Sequence, residues 1–162
     1  MTVYHGSNVI VNNPDIEHSF RALDFGKGFY VTTVKEQAER WARRKAGICG
    51  EDKGIVNVYQ MKEDLAGLVC KCFGEDLSEW IDFVCRCRNE EKDYLQYDVI
   101  KGQVADDKVF RVVDMYYSGI WDKERALKEI KAYSNYDQIA FIKQRAITQL
   151  LCYESFYEVV VK

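Results

Sequence analysis

DFGKGFYVTT, residues 24–33, sets two closely spaced glycines in front of an aromatic and β-branched run. Gly26 and Gly28 read as a tight turn, and the residues after them as the strand that leaves it. Immediately downstream, Thr33-x-x-Glu36 has the spacing of a helix capping box. Val34, Ala38, Trp41 and Ala42 then recur at helical spacing on one face. Turn, strand and amphipathic helix therefore follow one another without a linker.

The remaining segments are placed outward from this unit. TVYHGS, residues 2–7, reads as a short strand entering a turn, with Val3 and His5 on one face and Tyr4 on the other. Residues 8–23 hold the only proline, Pro14, and read as a loop. GIVNVYQM (54–61) and LAGLVCKCF (65–73) read as strands. Residues 77–89 read as a helix opened by Asp76 and Glu79. LQYDVIKGQVA (95–105) is strand-like. Residues 106–117 and 122–133 read as helices, the second with Ala126, Leu127 and Ile130 inward. DQIAFI (137–142) is a strand, KQRAITQLL (143–151) a short helix and YESFYEVVV (153–161) a terminal strand. This mixture predicts the α+β class. No repeat or linker divides the chain, so one domain over residues 1–162 is expected.

With 162 residues, 48% of them hydrophobic and 30% charged, the chain can bury a core without covalent staples. A net charge of -3 offers no bulk basic field for nucleic acid, which favours a small-molecule or protein partner. No apolar run approaches the roughly 18 residues that span a bilayer. No charged-then-apolar segment opens the sequence either, so a cytoplasmic protein without a membrane partner is expected. Of the six cysteines, four form the pairs Cys70/Cys72 and Cys85/Cys87, while Cys49 and Cys152 stand alone. Disulfides are not expected in that compartment. The C-x-C spacing is tighter than structural zinc sites use, and Cys85 shares an apolar face with Leu77, Trp80, Ile81 and Val84. Reduced thiols and no metal are the expectation. Asp98, Asp106 and Asp107 make an acidic group, but helix capping accounts for Asp106 or Asp107. No P-loop, dinucleotide fingerprint, zinc-protease motif or G-x-S-x-G elbow occurs.

Three features line up along the chain: His5-Gly6-Ser7 at a strand end, Gly26-Lys27-Gly28-Phe29-Tyr30 entering a strand, and Gln138 in DQIAF. In this order they resemble the ADP-ribosyltransferase superfamily, in its diphtheria-toxin and poly(ADP-ribose)-polymerase branch, whose signature is His, Tyr, Glu. DFGKGFYVTT followed by EQAERWA (36–42) looks closest to a family of uncharacterised bacterial transferase-like domains within that superfamily, here with Gln in the third position. The likeness covers the first and last strand groups, and residues 45–130 carry little of it. It implies split antiparallel β-sheets flanked by helices, with NAD as co-substrate and no metal.

The same resemblance implies roles for single residues. His5 would bond the adenosine-side ribose. The Gly6 backbone would meet the nicotinamide carboxamide where no Cβ intervenes, and Ser7 would add a hydroxyl contact. Tyr30, after the Gly28 turn, would stack on the cationic nicotinamide ring, worth about 0.5–2 kcal/mol. Eleven residues on, Trp41 stands where the polymerase branch has a second stacking tyrosine; packing on its helix face explains it equally well. Ala38 replaces a serine that bonds the carboxamide in that branch. Arg21 and Lys27 could meet the diphosphate, or be solvated loop charges.

Gln138 is the main departure. It keeps the hydrogen bond to a ribose hydroxyl but gives up a charge worth roughly 4 kcal/mol at ~4 Å and an effective dielectric near 20. Asp137 points to the opposite face and is no substitute. Gln138→Glu is accordingly expected to raise NAD cleavage. The resemblance implies a mono-ADP-ribosyltransferase acting on a macromolecule, protein rather than nucleic acid, with an antitoxin protein as partner if the role is that of a toxin. The alternative is a module that binds NAD, ADP-ribose or a protein and has weak or no catalysis.

Overall fold

A computed structural model of the chain describes residues 1–19, 23–105, 107–131 and 136–162. Its elements, in order, are β1 (Thr2–Ser7), β2 (Phe29–Val31), α1 (Lys35–Ile48), β3 (Lys53–Met61), β4 (Cys70–Cys72) and α2 (Leu77–Arg88). A 3-10 turn (Asp93–Gln96) leads to β5 (Val99–Gln103), α3 (Asp107–Tyr117), α4 (Lys123–Lys131), β6 (Asp137–Phe141), α5 (Gln144–Leu150) and β7 (Leu151–Val160). The α+β class follows.

The strands form two sheets, of order β1-β3-β7 and β2-β6-β5-β4. All pairings are antiparallel except β4 with β5. The sheets are joined where Tyr4 of β1 and Thr32 after β2 exchange backbone hydrogen bonds of 2.8 and 2.9 Å.

Side-chain alternation along these strands creates three packed layers. Between the sheets lie Val3, Phe29, Val31, Tyr59, Val99, Ile139 and Phe141, closed by Ala146, Ile147 and Leu150 of α5. The opposite face of the four-stranded sheet, with Tyr30, Ile100 and Ala140, is covered by Trp80, Ile81 and Val84 of α2, Val109, Val112 and Val113 of α3 and Ala126 and Ile130 of α4. The outer face of the three-stranded sheet carries α1 through Ala38, Ala42, Val56 and Val159. Among the described residues, no helix is long and apolar enough to cross a membrane.

Local departures from the sequence reading have physical causes. The capping box at Thr33 does not form: α1 starts at Lys35, and Val34 caps it without a side-chain bond. Asp137 has taken the Thr33 hydroxyl (2.5 Å) and amide (3.0 Å) instead, a competitor that arrives from β6. The strand expected over 65–73 shrinks to Cys70–Cys72, because the buried carboxylate of Asp98 accepts from the Val69 amide at 2.7 Å and ends the ladder there. Asp98 is itself held by a two-pronged pair with Arg145, at 2.7 and 2.6 Å. Asp106 lies outside the described residues.

Candidate functional site

The glycine turn positions the site, and each glycine in it has a steric reason. Gly26 has φ 88° and lies against the Tyr94 ring, where a Cβ would come within 2.5 Å of the ring carbons. A Cβ on Gly28 would stand 2.6 Å from the Phe141 carbonyl oxygen, so β2 could not close on β6. Tyr30 locks the turn from inside: its hydroxyl donates to the Gly26 carbonyl (2.6 Å) and accepts from the Phe25 amide (3.0 Å). Its ring is only 7% exposed, within the α2–α4 layer. Burial, with the nearby Asp24 carboxylate adding to it, holds the phenol well above the ordinary tyrosine range.

Gln138 lies on the same sheet face as Tyr30, since Tyr30 pairs with Ala140 and positions 138 and 140 project alike. It is 4% exposed. Its amide nitrogen donates to Asp24 Oδ2 at 2.9 Å and to the Gln103 carbonyl at 3.2 Å. Asp24 is buried as well: its Oδ1 accepts from Arg88 Nε at 2.8 Å and from Arg88 Nη2, and its Oδ2 accepts from the Ala105 amide at 2.8 Å. The third position therefore has a carboxylate beside it after all, contributed by the first residue of the glycine turn. A glutamate at 138 would bring two carboxylates into contact, so Gln138→Glu does not simply add a charge there.

The His5 ring meets Tyr30 at its backbone carbonyl rather than at its phenol ring. Its Nδ1 lies 2.7 Å from the Tyr30 carbonyl oxygen, and the ring packs on Phe29 with centroids 4.4 Å apart. A carbonyl only accepts, so Nδ1 carries the hydrogen and Nε2 is left as an acceptor. Desolvation lowers the imidazole pKa to about 4, with Lys45 adding a smaller repulsion, so the ring is neutral near pH 7. His5 thus faces the layer between the sheets, while Tyr30 and Gln138 face the helical layer behind β2 and β6.

Gly6 pairs with Val56 in the ladder and faces α1. A Cβ there would collide with the Ala38 carbonyl oxygen and come 2.7 Å from the Ala42 amide nitrogen and 2.8 Å from the Trp41 Cβ. Gly6 is thus accounted for by close helix packing, and half-buried Trp41 sits on that contact rather than against Tyr30. Ser7 is buried, its hydroxyl accepting from the Val9 amide at 3.4 Å. Lys27 is exposed, and Arg21 lies outside the described residues.

A cavity of about 220 Å³ opens elsewhere, between Met1, Met61 and Lys62 at one end of the three-stranded sheet and Cys70, Cys72 and Lys101 of the other sheet; none of His5, Tyr30 and Gln138 lines it. Cys85 and Cys87 are buried thiols, and burial raises them to about 11 and about 12. Among the described residues, no cluster of three or more His, Cys, Asp or Glu side chains could hold a metal ion.

Asp24 and Arg88 are the residues that reading the sequence missed. Asp24 opens the DFGKGFYVTT motif, but nothing in its spacing pairs it with Arg88, 64 positions on, or with Gln138, 114 positions on. The chain belongs to the DUF3990 family of proteins of unknown function, whose model matches residues 1–152. That description carries no activity, and no curated protein and no solved structure matches the chain.

Proposed function

We propose that this member of the DUF3990 family is an NAD-dependent mono-ADP-ribosyltransferase that places one ADP-ribose on a macromolecular acceptor. The observation that carries the reading is the seam between the sheets. His5 on β1, Tyr30 on β2 and Gln138 on β6 occupy three laterally adjacent strands, and the His5 ring is bonded to the Tyr30 carbonyl at 2.7 Å. Two mostly antiparallel sheets flanked by helices is also the arrangement that the resemblance to the ADP-ribosyltransferase superfamily implies.

The chemistry asked of the chain is modest. NAD supplies an activated ribose: the bond from its anomeric carbon to nicotinamide breaks, and the electron pair leaves with the neutral base. A nucleophile on the acceptor captures the ribosyl cation and gives up its proton. Neutral His5 offers Nε2 as acceptor to a ribose hydroxyl, and Gln138 offers its carbonyl oxygen to another. The charge of -3 favours a protein acceptor over nucleic acid; in a toxin role the partner would be a protein antitoxin.

One observation favours a second reading, a binding module with little turnover. Both hydrogen bonds of the Tyr30 hydroxyl and both of the Gln138 amide nitrogen are made inside the protein. Labelled NAD separates the two. Nicotinamide release or self-labelling that disappears in His5→Ala marks the enzyme; Tyr30→Ala is less informative, because it also empties a buried site. A raised melting temperature without release marks the module. No shift and no release at saturating NAD would exclude both the transferase and an NAD-binding module.

A further inference from the structure

The contact between β6 and the glycine turn says how a glutamine could serve where an acid is expected. Gln138 Nε2 is shared between Asp24 Oδ2 and the Gln103 carbonyl oxygen, at 2.9 and 3.2 Å. Both partners are acceptors only, so the nitrogen must sit on that side and the amide cannot be turned round. Free glutamine presents donor and acceptor indifferently; this one presents only Oε1 away from Asp24.

We propose that Asp24 is a positioning residue that fixes Gln138 with its carbonyl oxygen toward a ribose hydroxyl of NAD. The inference rests on the transferase reading and deepens it. Asp24 can do this because it is itself immobilised: Arg88 of α2 grips Oδ1, the Ala105 amide and Gln138 share Oδ2, and Arg88 is backed by Phe110 of α3 at 4.1 Å from its ring centroid. Donation to a carboxylate also polarises the amide and raises the negative character of Oε1. With Arg88 balancing Asp24, what reaches the ligand is an oriented dipole in place of a full charge.

The test is a charge swap read by nicotinamide release from NAD and by melting of the full chain. Asp24→Asn lets the Gln138 amide invert, so kcat should fall about tenfold or more with KM for NAD little changed. Gln138→Glu alone sets two carboxylates together; its melting temperature should fall as pH rises from about 5 to about 8, while the wild type does not follow. Asp24→Asn combined with Gln138→Glu keeps one carboxylate and one amide across the contact but sets the Ala105 amide against a donor and the Gln103 carbonyl against an acceptor. It should lose the pH slope of Gln138→Glu and recover its melting temperature and release rate in part. Should Asp24→Asn fail to fold, the melting series on the other two variants still decides whether the residues are coupled. The proposal is overturned if Asp24→Asn keeps its kcat, or if Gln138→Glu alone is as stable and as active as the swap. A wild-type chain that releases no nicotinamide would overturn the transferase reading, and with it the use of Gln138 toward NAD, whatever the melting series says about Asp24.

Discussion

The two sheets are covered in opposite ways. Over the three-stranded sheet, α1 descends until backbone nearly touches backbone. Gly6 and Gly54 below face Ala38 and Ala42 above, and a Cβ on Gly54 would sit 2.5 Å from the Ala42 carbonyl oxygen. Over the four-stranded sheet, three helices stand off on large side chains, and the space at the sheet's end admits a buried polar group: Asp24, Gln138 and Arg88. Close approach leaves no volume for a functional side chain. The looser, side-chain-mediated layer has room to enclose a polar side chain, and the two buried candidate residues, Tyr30 and Gln138, lie there.

Substitutions on either side should break this contrast if it is wrong. Asp24→Ala takes the partner from Arg88, the Ala105 amide and Gln138 at once; it should cost about 3 kcal/mol in urea unfolding, the low end for a buried pair because Arg88 can reach water. A loss below about 1 kcal/mol would mean the polar group is incidental to the layer. Gly6→Ala should cost about 2 kcal/mol by forcing α1 outward. Gly74→Ala, which meets open space, should stay within about 0.5 kcal/mol of wild type and serves as its control. Equal melting of these two glycine variants would refute the close approach.

Tyr30→Phe keeps the ring and strands the Phe25 amide, while the Gly26 carbonyl keeps the Leu23 amide, for a loss of about 1–2 kcal/mol. Unchanged stability there would mean that the hydroxyl does not hold the turn. The smallest effect belongs to His5 at the seam. Its folded pKa, about 4, is below the unfolded value of 6.5, so the unfolded chain binds more protons between them. Its contribution should be complete above about pH 6.5 and be lost as pH falls toward about 4, amounting to about 1 kcal/mol once solvent contact is allowed for. Melting curves of wild type and His5→Asn across that interval check it: only the wild type should carry this slope.

Much of the scaffold was legible because local patterns dominate it. TVYHGS, GIVNVYQM, DQIAFI, α2 behind its Asp76 cap and α4 with Ala126 and Ile130 inward all follow from alternation, helical spacing and a capping side chain. Where local and distant partners compete, the distant one prevailed: Asp137 took Thr33 from the capping box, and Asp98 cut short the run before Cys70. The site was half legible. His5, Tyr30 and Gln138 stand out as residue types in order, but their spacing does not say that His5 meets Tyr30 by its carbonyl or that Gly6 lies beneath α1.

The amino-acid sequence by itself determined the α+β class, nearly every strand and helix, and the glycine turn that leads to Tyr30, since each depends on side chains within a few positions of one another. Only the tertiary structure decided which face each signature residue occupies and that Asp24 stands against Gln138. Those facts depend on how β2 docks beside β6 and how α2 covers them, and a contact between residues more than a hundred positions apart leaves no periodic trace in either segment.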